Sequence, residues 1–402
     1  MVEPRLHITP RMRRFLDYPK FADKTRMLIL GTGYFFDRSW LHAAESLRWE
    51  TRTVPSAMVG AITQDQMKEL FEALGEFRPD FILTSNYAGM DARGVFGRFF
   101  EDARVPYVSW FTDTPRMILY ERTVHCSHYS VAAIWERNYE PHLRELGFPH
   151  VLFMPHATDP SLFGGRPALA FKRDVAFVGI SMIEQAEEAW RVLEGYPEIT
   201  QALKKAFREN RVTRESFAEG PESVLGAELV RQCQPRERRH LELCLVYEAT
   251  RRMRHDMIKT LEPFGIEVRG DVRWSEITER VGGPLSYFED LAPYYRSTAV
   301  NVNTSSLQMK TAVNQRVFDC PAAGGFLITD AQRDLEDLFD SDSEVVTYAS
   351  LEELKDKVAY YLAHPEVQLA IIERAQRRIA AHHTHAHRLQ TLETYLKSLY
   401  AS

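Results

Sequence analysis

The chain has little cysteine, no long apolar run and no excess of positive charge, and each shortage excludes a class of protein. Four cysteines, Cys126, Cys233, Cys244 and Cys320, are scattered through 402 residues. Their spacing matches neither a metal-binding pair nor a disulfide framework, which points to a reduced, cytoplasmic setting. No apolar run approaches the roughly 18 residues that span a bilayer. The N-terminus carries Arg5, Arg11, Arg13 and Arg14 with no apolar core behind them, so it does not read as a secretory signal. Lysine and arginine number 50 against 56 aspartates and glutamates, a net charge of −6. That balance gives no global attraction for nucleic acid. No fixed-period repeat or low-complexity tract stands out. What is present is an ordinary globular composition, 45% hydrophobic and 26% charged, in a chain long enough for two or three domains.

Strands alternate with helices along the first half. Met27–Leu30 is an apolar strand ending in Gly31-Thr32-Gly33, and a helical pattern follows over Ser39–Arg48. A strand near Thr51–Val54, a helix over Thr63–Glu76, and strands at Phe81–Thr84 and Tyr107–Phe111 continue the series, with Gly94–Ala103 helical between the last two. Ala132–Ile134 and Val151–Phe153 are further strand candidates. Such alternation predicts parallel βαβ units covered on both faces, a Rossmann-like first domain over residues 1–165. Gly164-Gly165-Arg166-Pro167 reads as a linker. A second α/β series, residues 166–402, begins with the strand Asp174–Val178 and resumes at Gly265–Gly270, Ala299–Val302 and Phe326–Thr329. Between them residues 184–262 are strongly charged and helical in pattern, an insertion, and residues 351–399 are mostly helical.

Residues 313–330 concentrate the chemistry. A helical segment with Asn314, Arg316 and Asp319 runs through Pro321 to Gly324-Gly325 and then the strand Phe326–Thr329. A cation, a carboxylate and bare glycine backbone within a dozen residues can meet the phosphates and ribose of a nucleotide. An ordinary helix-to-strand connection with a glycine cap has the same spelling. The pattern Asn-x-Arg-x-Phe-Asp-x-x-x-x-Gly, followed by a strand ending in Asp330, resembles the C-terminal signature of the CgeB-like (spore-maturation type) glycosyltransferases. The likeness continues through Glu344-Val-Val-Thr-Tyr348, the helix opened by Ser350-Leu-Glu-Glu353, His364-Pro365-Glu366, and His383-Thr384 with Arg388. It is looser in the N-terminal half. Asp319 departs from the usual Glu, one methylene longer.

The resemblance implies the GT-B fold, two Rossmann-like domains facing a cleft, and transfer of a sugar from a nucleotide-diphosphate donor to an acceptor hydroxyl. It implies no cofactor and no bound metal, since enzymes of this fold generally manage without one. Donor-side candidates are Gly179 and Ser181 after the first strand of the second half, Arg269, Asn303 in the polar run 301–306, Asn314, Arg316, Asp319, Gly324 and Gly325. Open α/β sheets bind ligands at the carboxyl ends of their strands, where these residues fall. Gly179 with Ser181 is equally a plain strand-to-helix turn; Arg316 is the foremost basic candidate, its alternative being an ion pair with Asp319 or Asp330. On the acceptor side stand Gly31, Gly33, Asn86 and Asp113. The stretch Val105–Pro115 resembles the family's Pro…Ser-Trp…Asp-x-Pro segment, and Asp113 can take a proton from an acceptor hydroxyl or make an Asx turn before Pro115.

Other features carry alternatives. Gly31-Thr32-Gly33 invites a dinucleotide reading, but the third glycine is replaced by Phe36 and no acid closes the next strand. A nicotinamide-dependent oxidoreductase is therefore disfavoured. The resemblance, which has a Leu-Pro-x-Ala type segment around His156, implies that this residue is a cleft wall, and His382, His383, His385 and His387 read as a solvated helix end in preference to a metal site. The run 236–240 with Arg251, Arg252 and Arg254 reads as a solvated helical face. A catalytically silent scaffold that binds a nucleotide or a partner is the rival to the transferase. The acceptor, whether protein, glycan, lipid or small molecule, is open, as are sugar, base and stereochemistry.

Overall fold

The computed structural model describes residues 6, 8–57, 63–120, 122–168 and 170–401. Arg5 lies outside these, as do the side chains of Arg11 and Arg236. Twelve strands among the described residues form two parallel six-stranded sheets, one in each of two compact units. The first unit comprises residues 1–155 and 385–402, the second residues 156–384.

The first unit holds β1 (Arg26–Gly31), β2 (Glu50–Pro55), β3 (Phe81–Ser85), β4 (Tyr107–Phe111), β5 (Ser130–Ile134) and β6 (His150–Phe153) in the order β2-β1-β3-β4-β5-β6. β3, β4 and β5 are buried along their whole length, as near-continuous apolar runs covered on both faces must be. The helix Phe35–Ser46 presents Phe36, Trp40, Ala43 and Ala44 to the sheet, one stripe at helical spacing. Trp40 stacks on Trp110 at 5.3 Å between ring centroids.

The helix His385–Tyr400 joins this core through Leu389, Leu392 and Leu396, all fully buried. Burying each such leucine stabilises by roughly 1.5–3 kcal/mol, so this stripe fixes where the helix packs. The last helix therefore belongs to the first unit, and the division falls at residue 155, not at the glycine pair near 165.

The second unit holds β7 (Arg173–Val178), β8 (Glu267–Arg269), β9 (Val281–Gly282), β10 (Thr298–Val302), β11 (Leu327–Asp330) and β12 (Val346–Tyr348), ordered β12-β11-β10-β7-β8-β9. From β7 the chain runs outward to β8 and β9, then crosses to the other side of β7 to lay down β10. The strand order reverses between β7 and β10. Six α-helices lie between β7 and β8 among the described residues, the last being Pro235–Leu261. At 27 residues it is about 40 Å long. Its C-terminal half carries Met257, Ile258 and Leu261 into the core against Val175, Phe177, Val300 and Val302. That half is the crossover helix of the βαβ unit, so the inserted structure is confined to the residues before it.

Candidate functional site

The reversal point of the second sheet is bridged by one side chain. Arg316 opens the helix Arg316–Ala322 and donates from Nη1 to Asn303 Oδ1, just past β10, and from Nη2 to the carbonyl of Val178, the last residue of β7. Asn303 Oδ1 also accepts from Asn314 Nδ2 at 2.9 Å, while Asn303 Nδ2 donates to Thr329 Oγ1 at 2.8 Å. Asn314 in turn accepts from the Arg316 amide at 3.2 Å. Asn303, Asn314 and Arg316 thus form one network at the carboxyl ends of β7 and β10, where open α/β sheets bind ligands.

A second guanidinium reaches the same place from the long helix. Arg254 Nη1 donates to the carbonyl of Ile180 at 2.7 Å. The guanidinium carbons of Arg254 and Arg316 lie 5.9 and 5.3 Å from the centroid of the Phe177 ring. The hydrogen bonds of both groups go to neutral acceptors, and the Nε of each is buried with no protein partner. Burial, then the charge of Arg316, push the Arg254 guanidinium below its ordinary range, with Asp271 opposing them. Two cations whose hydrogen bonds go to neutral groups at a sheet reversal can attract an anion, with Asp271 acting on Arg254 and Asp319 on Arg316 as the nearby carboxylates.

The solvated-face reading holds for the neighbours of Arg254 and fails for Arg254 itself. Arg251 and Arg252 pair with Glu248, their closest contacts 2.7 and 2.6 Å. Arg254 instead shares a helix face with Met257, Ile258 and Leu261, at i, i+3, i+4 and i+7. That spacing was the available signal.

Several residues grouped by sequence have other partners. The Gly179 amide completes the strand ladder to the carbonyl of Arg269 at 2.9 Å. A Cβ on Gly179 would come within 2.9 Å of the Phe177 ring, so the glycine there serves the aromatic floor of the site. The amide and hydroxyl of Ser181 both donate to Asp271, the hydroxyl at 2.8 Å, and are not presented as a phosphate cradle. Arg269 pairs with Glu267 at 3.0 Å. Gly324, at φ +86°, and Gly325 admit the chain itself. A Cβ on Gly324 would meet Arg166 and Pro167 backbone at 2.8 Å, and one on Gly325 the Cys320 sulfur at 2.8 Å. Asp319 is buried, accepting from Tyr287 Oη at 2.6 Å and Gln315 Nε2 at 3.1 Å. Burial raises its pKa to about 6 against those hydrogen bonds.

In the first unit the order reverses between β1 and β3, and the acceptor-side candidates gather there. Asn86, just past β3, donates from Nδ2 to Asp113 Oδ2 at 2.9 Å and accepts from the Thr112 amide at 2.8 Å. Asp113 is exposed beyond the end of β4. Gly33 is exposed in the loop after β1. The Thr32 and Gly33 amides donate to Asp37 Oδ2 at 2.7 and 2.8 Å, and Gly31 is a glycine because Thr53 Cγ2 would lie 2.7 Å from a Cβ.

The histidines of the C-terminal segment do not converge. His383 Nε2 contacts the carbonyl of Leu338 at 2.8 Å in the second unit, and His385 packs on Phe36 in the first. Against the expectation of no metal-holding Asp-x-Asp motif in the sequence, Asp340-Ser341-Asp342 is such a triplet, and it is exposed in the turn before β12. Among the described residues no three His, Cys, Asp or Glu side chains are placed to share a metal ion, and no helix is long and apolar enough to cross a membrane.

Residues 236–394 match the family model described as Glycosyl transferase-like. No curated protein matches the chain. Among solved structures it is similar to a glycosyltransferase from Rickettsia africae ESF-5, with a TM-score of 0.53 at 9% identity over 94% of this chain and 99% of that one. Sucrose-phosphate synthase from Thermosynechococcus elongatus gives 0.51 at 12% identity, and the T4 phage enzyme BGT, solved with its UDP-glucose substrate, 0.51 at 11%. Each of these alignments covers 94% of this chain and 100% of the other. The fold is therefore GT-B, and the residues matched by the glycosyl transferase-like model include Arg254, Asn303, Asn314 and Arg316.

Proposed function

We propose that the protein is a nucleotide-sugar-dependent glycosyltransferase of the CgeB-like type, transferring a sugar to an acceptor hydroxyl without a bound metal. One observation carries the reading: Arg254 and Arg316, bonded to neutral groups, lie over Phe177 at the reversal point of the second sheet. There they offset the charge that grows on a departing diphosphate, an effect worth most where water is excluded. The acceptor oxygen attacks the anomeric carbon of the donor, the bond from that carbon to the phosphate oxygen breaks, and the nucleoside diphosphate leaves. Asp113, held by Asn86, receives the acceptor's proton. Asn303 and Asn314 fix Arg316; Asp319 positions its helix through Tyr287 and Gln315.

The test is a thermal-shift screen in chelator against UDP, GDP, CMP, dTDP, ADP, NAD and their common sugar conjugates. A ligand at about 100 times its Kd stabilises by roughly 2.7 kcal/mol. A shift with one nucleoside diphosphate that disappears in Arg316→Ala is the expected result. Silence from every nucleotide in a folded protein would replace the transferase with the scaffold, and a shift with NAD alone would favour the oxidoreductase.

A further inference from the structure

A cavity of about 410 Å³ opens at the carboxyl ends of β10, β11 and β12. Thr304 and Asp330 line it from the strand ends, Met253 and Asp256 from the long helix, Arg214 from the insertion, and Leu351 from beyond β12. It shares the end of β10 with Asn303. Thr304 follows Asn303, the acceptor for Arg316. Neighbouring strands are about 4.8 Å apart. A nucleotide with its phosphates over β7 and β10 can reach this cavity with its base over β10 to β12.

We infer that the donor nucleotide carries guanine, read by the Asp256 carboxylate in this cavity. The inference rests on the donor reading above and adds the identity of the base. Of the two carboxylates lining the cavity, Asp330 is committed: Oδ1 accepts from the Ser305 amide at 2.9 Å and hydroxyl at 3.1 Å, and Oδ2 takes Arg214 at 2.5 Å. Asp256 is exposed at the rim. An ionised carboxylate offers two adjacent acceptors and no donor. Guanine alone among the common bases answers with two adjacent donors, N1–H and the exocyclic amine. Uracil and cytosine set the O2 acceptor beside N3, and adenine sets N1 beside its amine, so each turns a lone pair toward one carboxylate oxygen. A base that turns a lone pair toward one of those oxygens loses a hydrogen bond and adds a repulsion. Met253 and Leu351 give the cavity apolar wall for the faces of the ring.

The experiment is calorimetric titration of the full chain with GDP, IDP, UDP and ADP in chelator, repeated on Asp256→Asn and Arg316→Ala. GDP should bind at least about tenfold tighter than UDP or ADP, a difference of about 1.4 kcal/mol. IDP, which lacks the amine, should fall between. Asp256→Asn, at an exposed position and with an unchanged melting curve, should lose the preference for GDP and keep a common residual affinity. Arg316→Ala should weaken all four alike. Tighter binding of UDP or ADP, or a preference for GDP that survives in Asp256→Asn, would overturn the guanine assignment and leave the donor reading standing. Absence of binding by all four would remove the donor reading itself.

Discussion

Arg254 and Arg316 bring two like charges to the ring of Phe177, their guanidinium carbons 5.9 and 5.3 Å from its centroid. The two are not equivalent. Arg316 ties the end of β7 to the end of β10, whereas Arg254 bonds one loop carbonyl and has its proton affinity lowered by burial and by Arg316.

Substitution should separate binding from stability at this pair. Arg254→Met removes a repelled charge and keeps most of the apolar stem, so the denaturant midpoint should hold or rise. Affinity for a nucleoside diphosphate should fall by about 1.5–3 kcal/mol, the range for hydrogen bonds to charged groups. Arg316→Ala should lose both, because the bridge between the two strand ends goes with it. Titration and urea unfolding on the same two proteins check this. An Arg254→Met variant with unchanged affinity would take the long helix out of the site.

Asp319 sets a pH window. Its folded pKa is raised from 3.8 to about 6 by burial. Protonation therefore favours the folded state: the contribution is fully present below pH 3.8 and is lost as pH rises through 6. Between those values stability should fall with rising pH at this site, and Asp319→Asn, which keeps an acceptor for Tyr287, should remove that slope. Unfolding midpoints of both proteins at half-unit steps from pH 4 to 7 measure it. Parallel curves would mean that the carboxylate is ionised throughout.

The alternation of strands and helices was legible because each buried strand is a short apolar run and each covering helix has a 3.6-residue stripe. The attachment of His385–Tyr400 to the first unit was not, since a leucine stripe says that a face is buried but not against what. In the site, Arg316 and Asn314 were visible in one signature and Asn303 in the separate polar run 301–306, and the three share a network. Ser181 and Gly324 looked like ligand contacts because hydroxyls and glycines serve ligands and their own chain in the same way. Asp271, 90 residues from Ser181, and the backbone at Arg166 and Pro167 could be assigned to them only in three dimensions. Arg254 was hidden by Arg251 and Arg252, whose pairing with Glu248 makes the segment read as solvated.

Asn86 and Asp113 should act as a clamp and a base. Asn86 has φ +50°, a conformation that asparagine tolerates better than most residues. From it the side chain closes on both ends of the Thr112–Asp113 turn: Oδ1 accepts from the Thr112 amide and Nδ2 donates to the Asp113 carboxylate. Asp113→Asn keeps the shape and removes the proton acceptor. Transfer should fall by about 10²–10⁴-fold, the usual worth of a positioned base, with donor affinity unchanged because the residues proposed to bind the donor belong to the other unit. Asn86→Ala should lower turnover less, by releasing the carboxylate without removing it, and should also leave donor affinity alone. Initial rates with a nucleotide-sugar and an acceptor, alongside donor titration, test both. Full turnover in Asp113→Asn would take that carboxylate out of the chemistry and favour a retaining reaction, which can proceed without a protein base there.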